Sequence, residues 1–429
     1  MVAGLKQNIT EMKILKTLII FALIVFPFGE LLRLDIGSNI IIKPLDVAAG
    51  LIFLSWLVLV LSKRIKKPPL SWYYFLFPLI GLLSLLINSI WLKPHELLAS
   101  SMYLIRWVSY MGIFFAVMQL DKNFKKKVVS LLLIDGLLIV ILGYSQYFFF
   151  SSLKPLYYLG WDDHMYRLFS VFLDPNYTGG LLVLYLLLTG GVFYENFRNT
   201  KTGSSKVMLL NNFAVTKKKF MILLSSVLLI TLIAMFLTFS RSALVMLLVG
   251  ASVYFILIGR KKLIMLLFAA VFVFILLISS KFYVENINLF RMASTNARIG
   301  NYQVALNIVK DHPVLGVGFN TYRYAKDLYN IKSGWTKAPS HADAGVDNSF
   351  LFILVTTGIV GLISYLLLWF HLFKRAFFLY KKENNITAAV FIASSIGLFV
   401  HALFINSLFF PASMFWLWIV AGLMEKKSL

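Results

Sequence analysis

The chain has 429 residues, 60% of them hydrophobic and 14% charged, with a mean hydropathy of +0.82. A soluble fold of this length leaves too much chain at its surface to hide that apolar content, so a polytopic membrane protein is the default. The net charge of +23 is spread over short segments with no continuous basic stripe, which argues against a nucleic-acid partner, and the absence of cysteine removes disulfides, thiolate metal sites and thiol nucleophiles.

Windows long enough to cross about 30 Å of hydrocarbon fall about twelve times along the chain. They lie near Leu15–Gly29, Asp46–Leu61, Trp72–Ile90, Leu97–Leu120, Val128–Phe150, Gly179–Tyr194, Phe220–Leu237, Ser242–Gly259, Leu263–Ser280, Asn348–His371, Ile386–Phe404 and Pro411–Met424. The first is followed by "PFGELLRLD", without a small-residue cleavage pattern, and reads as a retained helix. One set of alternate connecting segments carries 26 of the 41 basic residues and five acids, against 14 basic residues and 12 acids on the other. The positive-inside rule then puts both termini in the cytoplasm, and the loops Ser151–Thr178 and Lys281–Asp347 on the extracytoplasmic face. The expected fold is an all-α polytopic membrane protein of about twelve transmembrane helices. It forms a single membrane domain over 1–429, with the long extracytoplasmic loop 281–347 inside it.

Polar residues that break local rules are the candidates for chemistry. Arg106 and Asp135 sit inside consecutive antiparallel spans at depths that allow them to meet, and are expected to form a structural ion pair; a proton or ion pathway would call for more such residues. "WDDH" (Trp161–His164) holds metal-ligand types, but adjacent residues diverge and no second histidine stands at ligand spacing, so no metal is expected. In "FLDPNYTGG", Asp174–Pro175 starts a turn and Asn176 can cap the next helix, while Glu195–Lys219 reads as a solvated linker. Ser240 is the expected N-cap of the following span, which Arg241 opens. In the long loop, Ile299, Tyr302, Leu306 and Val309 recur at helical spacing, with Ser294, Thr295 or Asn296 as caps, Arg298 in the first turn and Pro313 as the stop. An arginine at a helix N-terminus opposes the helix dipole, yet it suits an anion that backbone N–H groups and a guanidinium share. Two such ends on one membrane face fit a phosphate-bearing ligand at the lipid–water interface; headgroup anchoring is the alternative. His341, in "KAPSHADAGVDNSFLF", stands just ahead of a span whose start "DNS" (Asp347–Ser349) can cap, and an imidazole there can take a proton from a hydroxyl at neutral pH.

The stretches "RLFSVFLDPNYTGGLL", "TFSRSALVMLLVG", "RIGNYQVALNIVKDHPVLGVGFNTYRY" and "SHADAGVDNSFLFILVTTGIVGLISYLLL" resemble the O-antigen ligase and O-antigen polymerase family of bacterial surface-polysaccharide enzymes, over roughly Arg167–Leu368. One departure is local: the family usually has asparagine directly after its histidine, whereas Asn348 follows His341 only after "ADAGVD". The resemblance implies a metal-independent glycosyltransferase of the inner membrane that uses no cofactor. Its donor would be a glycan on a polyprenyl diphosphate (undecaprenyl diphosphate), and its acceptor the lipid A core of lipopolysaccharide or a growing glycan. It implies diphosphate binding by Arg241 and Arg298, further substrate contacts at Arg167 and Tyr302, and an acceptor activated or oriented by His341. Ligase and polymerase both fit. A flippase of lipid-linked sugars would need more polar residues along the spans.

Overall fold

The computed structural model describes residues 2–37, 40–65, 71–198, 206–209, 213–278, 293–329 and 345–425. In lipid, a backbone must satisfy its own polar groups, and the long runs of Leu, Ile, Phe and Val do so as helices. The first is α1 (Val2–Val25), followed by α2 (Pro44–Leu61), α3 (Tyr73–Ile87), α4 (Pro94–Met118), α5 (Lys122–Phe149), α6 (Pro175–Arg198) and α7 (Lys217–Leu237). After them come α8 (Arg241–Leu257), α9 (Lys262–Ile278), α10 (Ala293–Asp311), α11 (Tyr322–Leu328), α12 (Ser349–Glu383), α13 (Ile386–His401) and α14 (Pro411–Met424). Eight described helices are long and apolar enough to cross a membrane, and α8, α9, α13 and α14 are shorter apolar helices. Starts are set by proline at the first helical position, as at Pro44, Pro94 and Pro411, or by side-chain caps, as at Asp121, Ser240 and Asn385.

Two short antiparallel pairs interrupt the helices. β1 (Leu34–Asp35) pairs with β2 (Ile41–Ile42) ahead of α2. β3 (Lys206–Leu209) pairs with β4 (Phe213–Thr216), so the expected solvated linker holds a hairpin; its apolar residues alternate over too few positions to stand out. α8 and α13 cross closely because both are glycine at the contact: a Cβ on Gly397 would stand 3.2 Å from the Gly250 Cα. α12 runs twelve residues beyond the expected span end at His371. Its basic extension is tied down where Arg375 forks onto Glu425, with Nε to Oε1 at 2.9 Å and a terminal nitrogen to Oε2 at 2.8 Å.

The feature that shapes the loop-bearing end is a break inside α12. Gly358 takes φ 67° and ψ −171°, which ends the first half-helix. The segment "HPVLGVG" fills the gap with its own backbone. Val317 and Gly318 donate N–H to the carbonyls of Val355 and Thr356 at 3.0 and 3.1 Å, and Ile359 donates to Pro313 at 2.9 Å. Ser84 of α3 adds its hydroxyl to the carbonyls of Leu315 and Thr356. Glycine is required on both sides: a Cβ on Gly358 would lie 2.0 Å from the Val314 carbonyl oxygen, and one on Gly316 2.4 Å from that of Val355.

One expected pair is corrected. Arg106 does not meet Asp135; its guanidinium pairs with Asp46 at 2.9 Å and donates to the Ile41 carbonyl. Although consecutive, α4 packs chiefly on α2 and α14, while α5 packs on α1, α6 and α7. Asp135 is buried, and its Oδ2 has no hydrogen-bond partner among the described residues.

Candidate active site

At the loop-bearing end a cavity of about 540 Å³ opens between the segment 160–177, the β1–β2 lip, α4, α10, and the stretch 405–414 that leads into α14. That volume is in the range of small-ligand sites. Its lining mixes charges, with Arg33, Arg167, Arg298 and Arg323 beside Asp162, Asp174 and Asp347. Two ion pairs, one buried and one largely so, stiffen the wall. Lys43 pairs with Glu30, and Asp46 binds Arg106 while also accepting the Tyr110 hydroxyl and the Lys43 backbone N–H, both at 2.9 Å. Aromatic surface completes it: Tyr177 stacks on Phe410 with centroids 4.1 Å apart, and the Arg33 guanidinium lies over the Trp161 ring at 5.3 Å.

The wall between α6 and the α7–α8 turn is built from the "RLFSVFLDPN" stretch. Arg167 is buried and donates from Nε to the Thr238 carbonyl at 2.8 Å. Asp174, and not Asn176, caps α6: its Oδ1 accepts the N–H groups of Asn176 and Tyr177 at 2.6 and 3.0 Å. Pro175 fits the first helical position, which leaves the Asn176 side chain to accept the Ser240 hydroxyl at 3.0 Å and an Arg167 nitrogen at 3.4 Å. Ser240 caps α8 as expected, accepting the Ala243 N–H at 3.3 Å, and Arg241 is the first residue of that helix.

The sequence-derived candidates therefore separate. Arg167, Arg298 and the ion-paired Arg106 share the cavity, whereas Arg241, half-buried, lies outside its lining and adjoins it through Ser240. α10 begins at Ala293, a few residues earlier than the expected caps, so Arg298 stands in the second turn and its neighbouring N–H groups are already bonded within the helix. Tyr302 is absent from the lining; its hydroxyl is held between the carbonyls of Asp347 and Leu403, each at 2.8 Å. His341 lies outside the described residues, as does part of the loop 281–347. In "WDDH", Asp163 accepts the Ser152 hydroxyl at 2.7 Å, and His164 stands 4.0 Å from Asp174; among the described residues no group of three or more metal-ligating side chains forms.

Asp347 and Asn301 are the site residues that sequence reasoning passed over. "DNS" was legible as a cap signal, and Asn348 does cap α12, accepting the N–H groups of Phe350 and Leu351. Its neighbour Asp347 lines the cavity instead. Burial lifts the Asp347 carboxyl above the ordinary carboxylate range, against the pull of the Arg298 charge and of a hydrogen bond from Asn301.

Residues 226–366, which run from α7 through Arg241, α10, the "HPVLGVG" segment and the first half of α12, match the O-antigen ligase family. No curated protein matches the chain. The matched segment is the one that holds both Arg241 and Arg298.

Proposed function

We propose that the protein is a membrane glycosyltransferase that moves a glycan from a polyprenyl diphosphate to an acceptor hydroxyl, a lipid A core or a growing glycan, on the extracytoplasmic face of the bacterial inner membrane. The observation that carries the reading is the coincidence of two things: the family match covers 226–366, and Arg298 within it lines a cavity of about 540 Å³ with mixed charge and aromatic walls. In this reading the chain is one domain of about twelve spans with both termini in the cytoplasm. Arg298 and Arg241 bind the diphosphate, Arg167 braces the donor side of the wall, Tyr302 supports it from behind, and His341 orients the acceptor. A diphosphate is a stable leaving group that needs its charge met more than it needs a proton, so arginines suffice without a metal.

The test uses the full chain in membranes of a deletion strain, with that strain's own lipid-linked glycan as donor, in the presence of chelator. Lysine offers a point charge in place of a planar fork. Arg298→Lys and Arg241→Lys should each keep normal membrane levels, lose most transfer, and leave lipid-linked glycan accumulating on the outer leaflet. Near-normal transfer by both lysine variants would overturn the diphosphate clamp. Wild-type activity lost in chelator and restored by magnesium would overturn the metal-free scheme.

A further inference from the structure

Asp347 has no role in the scheme above, yet it lines the cavity with its backbone fixed on both sides. Tyr302 donates its hydroxyl to the Asp347 carbonyl at 2.8 Å, and the Asn348 cap fixes the backbone on the other side. Asn301 reaches Oδ2 with its side-chain nitrogen at 3.4 Å, and the Tyr322 hydroxyl in turn donates to the Asn301 side-chain Oδ1 at 2.6 Å. Asn301 follows Arg298 by three residues on α10, so both project from one helix face. The other carboxylate oxygen, Oδ1, accepts no hydrogen bond among the described residues. Asp347 is half-buried, and it lines the cavity that Arg298 also lines, so a ligand seated there can reach Oδ1.

We infer that Asp347 takes the proton from the acceptor hydroxyl during glycan transfer, an inference that rests on the function proposed above. The acceptor oxygen bonds to the anomeric carbon as the bond from that carbon to the diphosphate oxygen breaks. The diphosphate leaves with the bonding pair and meets Arg298; the hydroxyl proton passes to Oδ1 of Asp347 and then to water. Burial supports this chemistry, because a carboxylate raised above its ordinary range is a stronger base. The charged and titratable groups around it are Arg298, Lys326, Asp174, Tyr177 and Tyr302, and Asp162, His164 and Arg323 line the same cavity.

The experiment compares wild type with Asp347→Asn and Asp347→Glu as full-length proteins. Transfer is read with the strain's own lipid-linked glycan, and donor-side binding with undecaprenyl diphosphate as probe. Asp347→Asn should lower turnover about 10²–10⁴-fold, with probe affinity within about threefold of wild type. Wild-type turnover should fall on acidification along a limb above the usual carboxylate range; the limb should vanish in Asp347→Asn and move in the Glu variant, which regains part of the activity. Turnover near wild type in Asp347→Asn, with the limb unchanged, overturns the inference. Should that variant fail to reach the membrane, an unmoved limb in Asp347→Glu overturns it equally. An active Asp347→Asn beside an inactive Arg298→Lys sinks the inference alone. A wild-type protein that neither transfers glycan nor binds the probe sinks the function beneath it.

Discussion

Asp46 gathers the Arg106 guanidinium, the Tyr110 hydroxyl and the Lys43 N–H around one largely buried carboxylate. Removing one partner of such a pair strands the other charge and costs about 3–5 kcal/mol. Asp46→Asn should therefore lower the unfolding temperature in detergent by more than Arg106→Met, since it also weakens the Tyr110 and Lys43 contacts, and both should exceed Asp135→Asn. Equal losses at Asp46 and Asp135 would mean that the charges are arranged otherwise. Arg106 and Asp135 were conspicuous in sequence because each interrupts a hydrophobic window. The true partner was hidden because Asp46 sat at a span boundary, where a carboxylate needs no explanation. Arg298 and Arg241 were legible for another reason, since each was expected near a helix N-terminus, where a cation opposes the dipole. Asp347 was not, because a cap signal already accounted for its neighbourhood.

Among the elements, α12 departs furthest from its pattern. Hydropathy runs unbroken through "LVTTGIVG", so the span was readable and the break at Gly358 was not; it exists only because a distant loop supplies the missing backbone partners. A side chain there must adopt a left-handed backbone and displace the Val314 carbonyl. Gly358→Ala should cost about 3 kcal/mol or more, combining strain and steric displacement. Gly190→Ala in α6, where a Cβ meets nothing within 4 Å, should be neutral or mildly stabilising. Thermal unfolding of the two in detergent makes the comparison, and indistinguishable curves would count against the clasp between loop and span. The ends of helices were the other illegible part. Asp174 displaced Asn176 as cap because proline fixes where α6 starts, and α12 outran its apolar stretch because a basic helical extension finds Glu425.

For the whole molecule, the loop-charge bias predicts which end faces out, and the cavity lies at the end that carries the long loop. The chain has no cysteine, so single cysteines report without background. Leu328, 61% exposed on α11, and Lys382, exposed at the end of α12, should fall on opposite faces. In intact cells an impermeant thiol reagent should label Leu328→Cys and spare Lys382→Cys; the reverse pattern would invert the topology and move the cavity to the cytoplasm. That the chain is helical and crosses a membrane several times was open to sequence reasoning, since hydropathy is a local sum, while helix adjacency was not. The clasp at Gly358 also bears on biogenesis. Pro313–Gly318 is translated before α12, so its carbonyls and N–H groups are waiting when the broken span reaches the membrane. Were translocation of that loop delayed, the interrupted helix would enter lipid with bare backbone groups, so the order in which loop and span leave the ribosome is itself part of how this helix can be inserted.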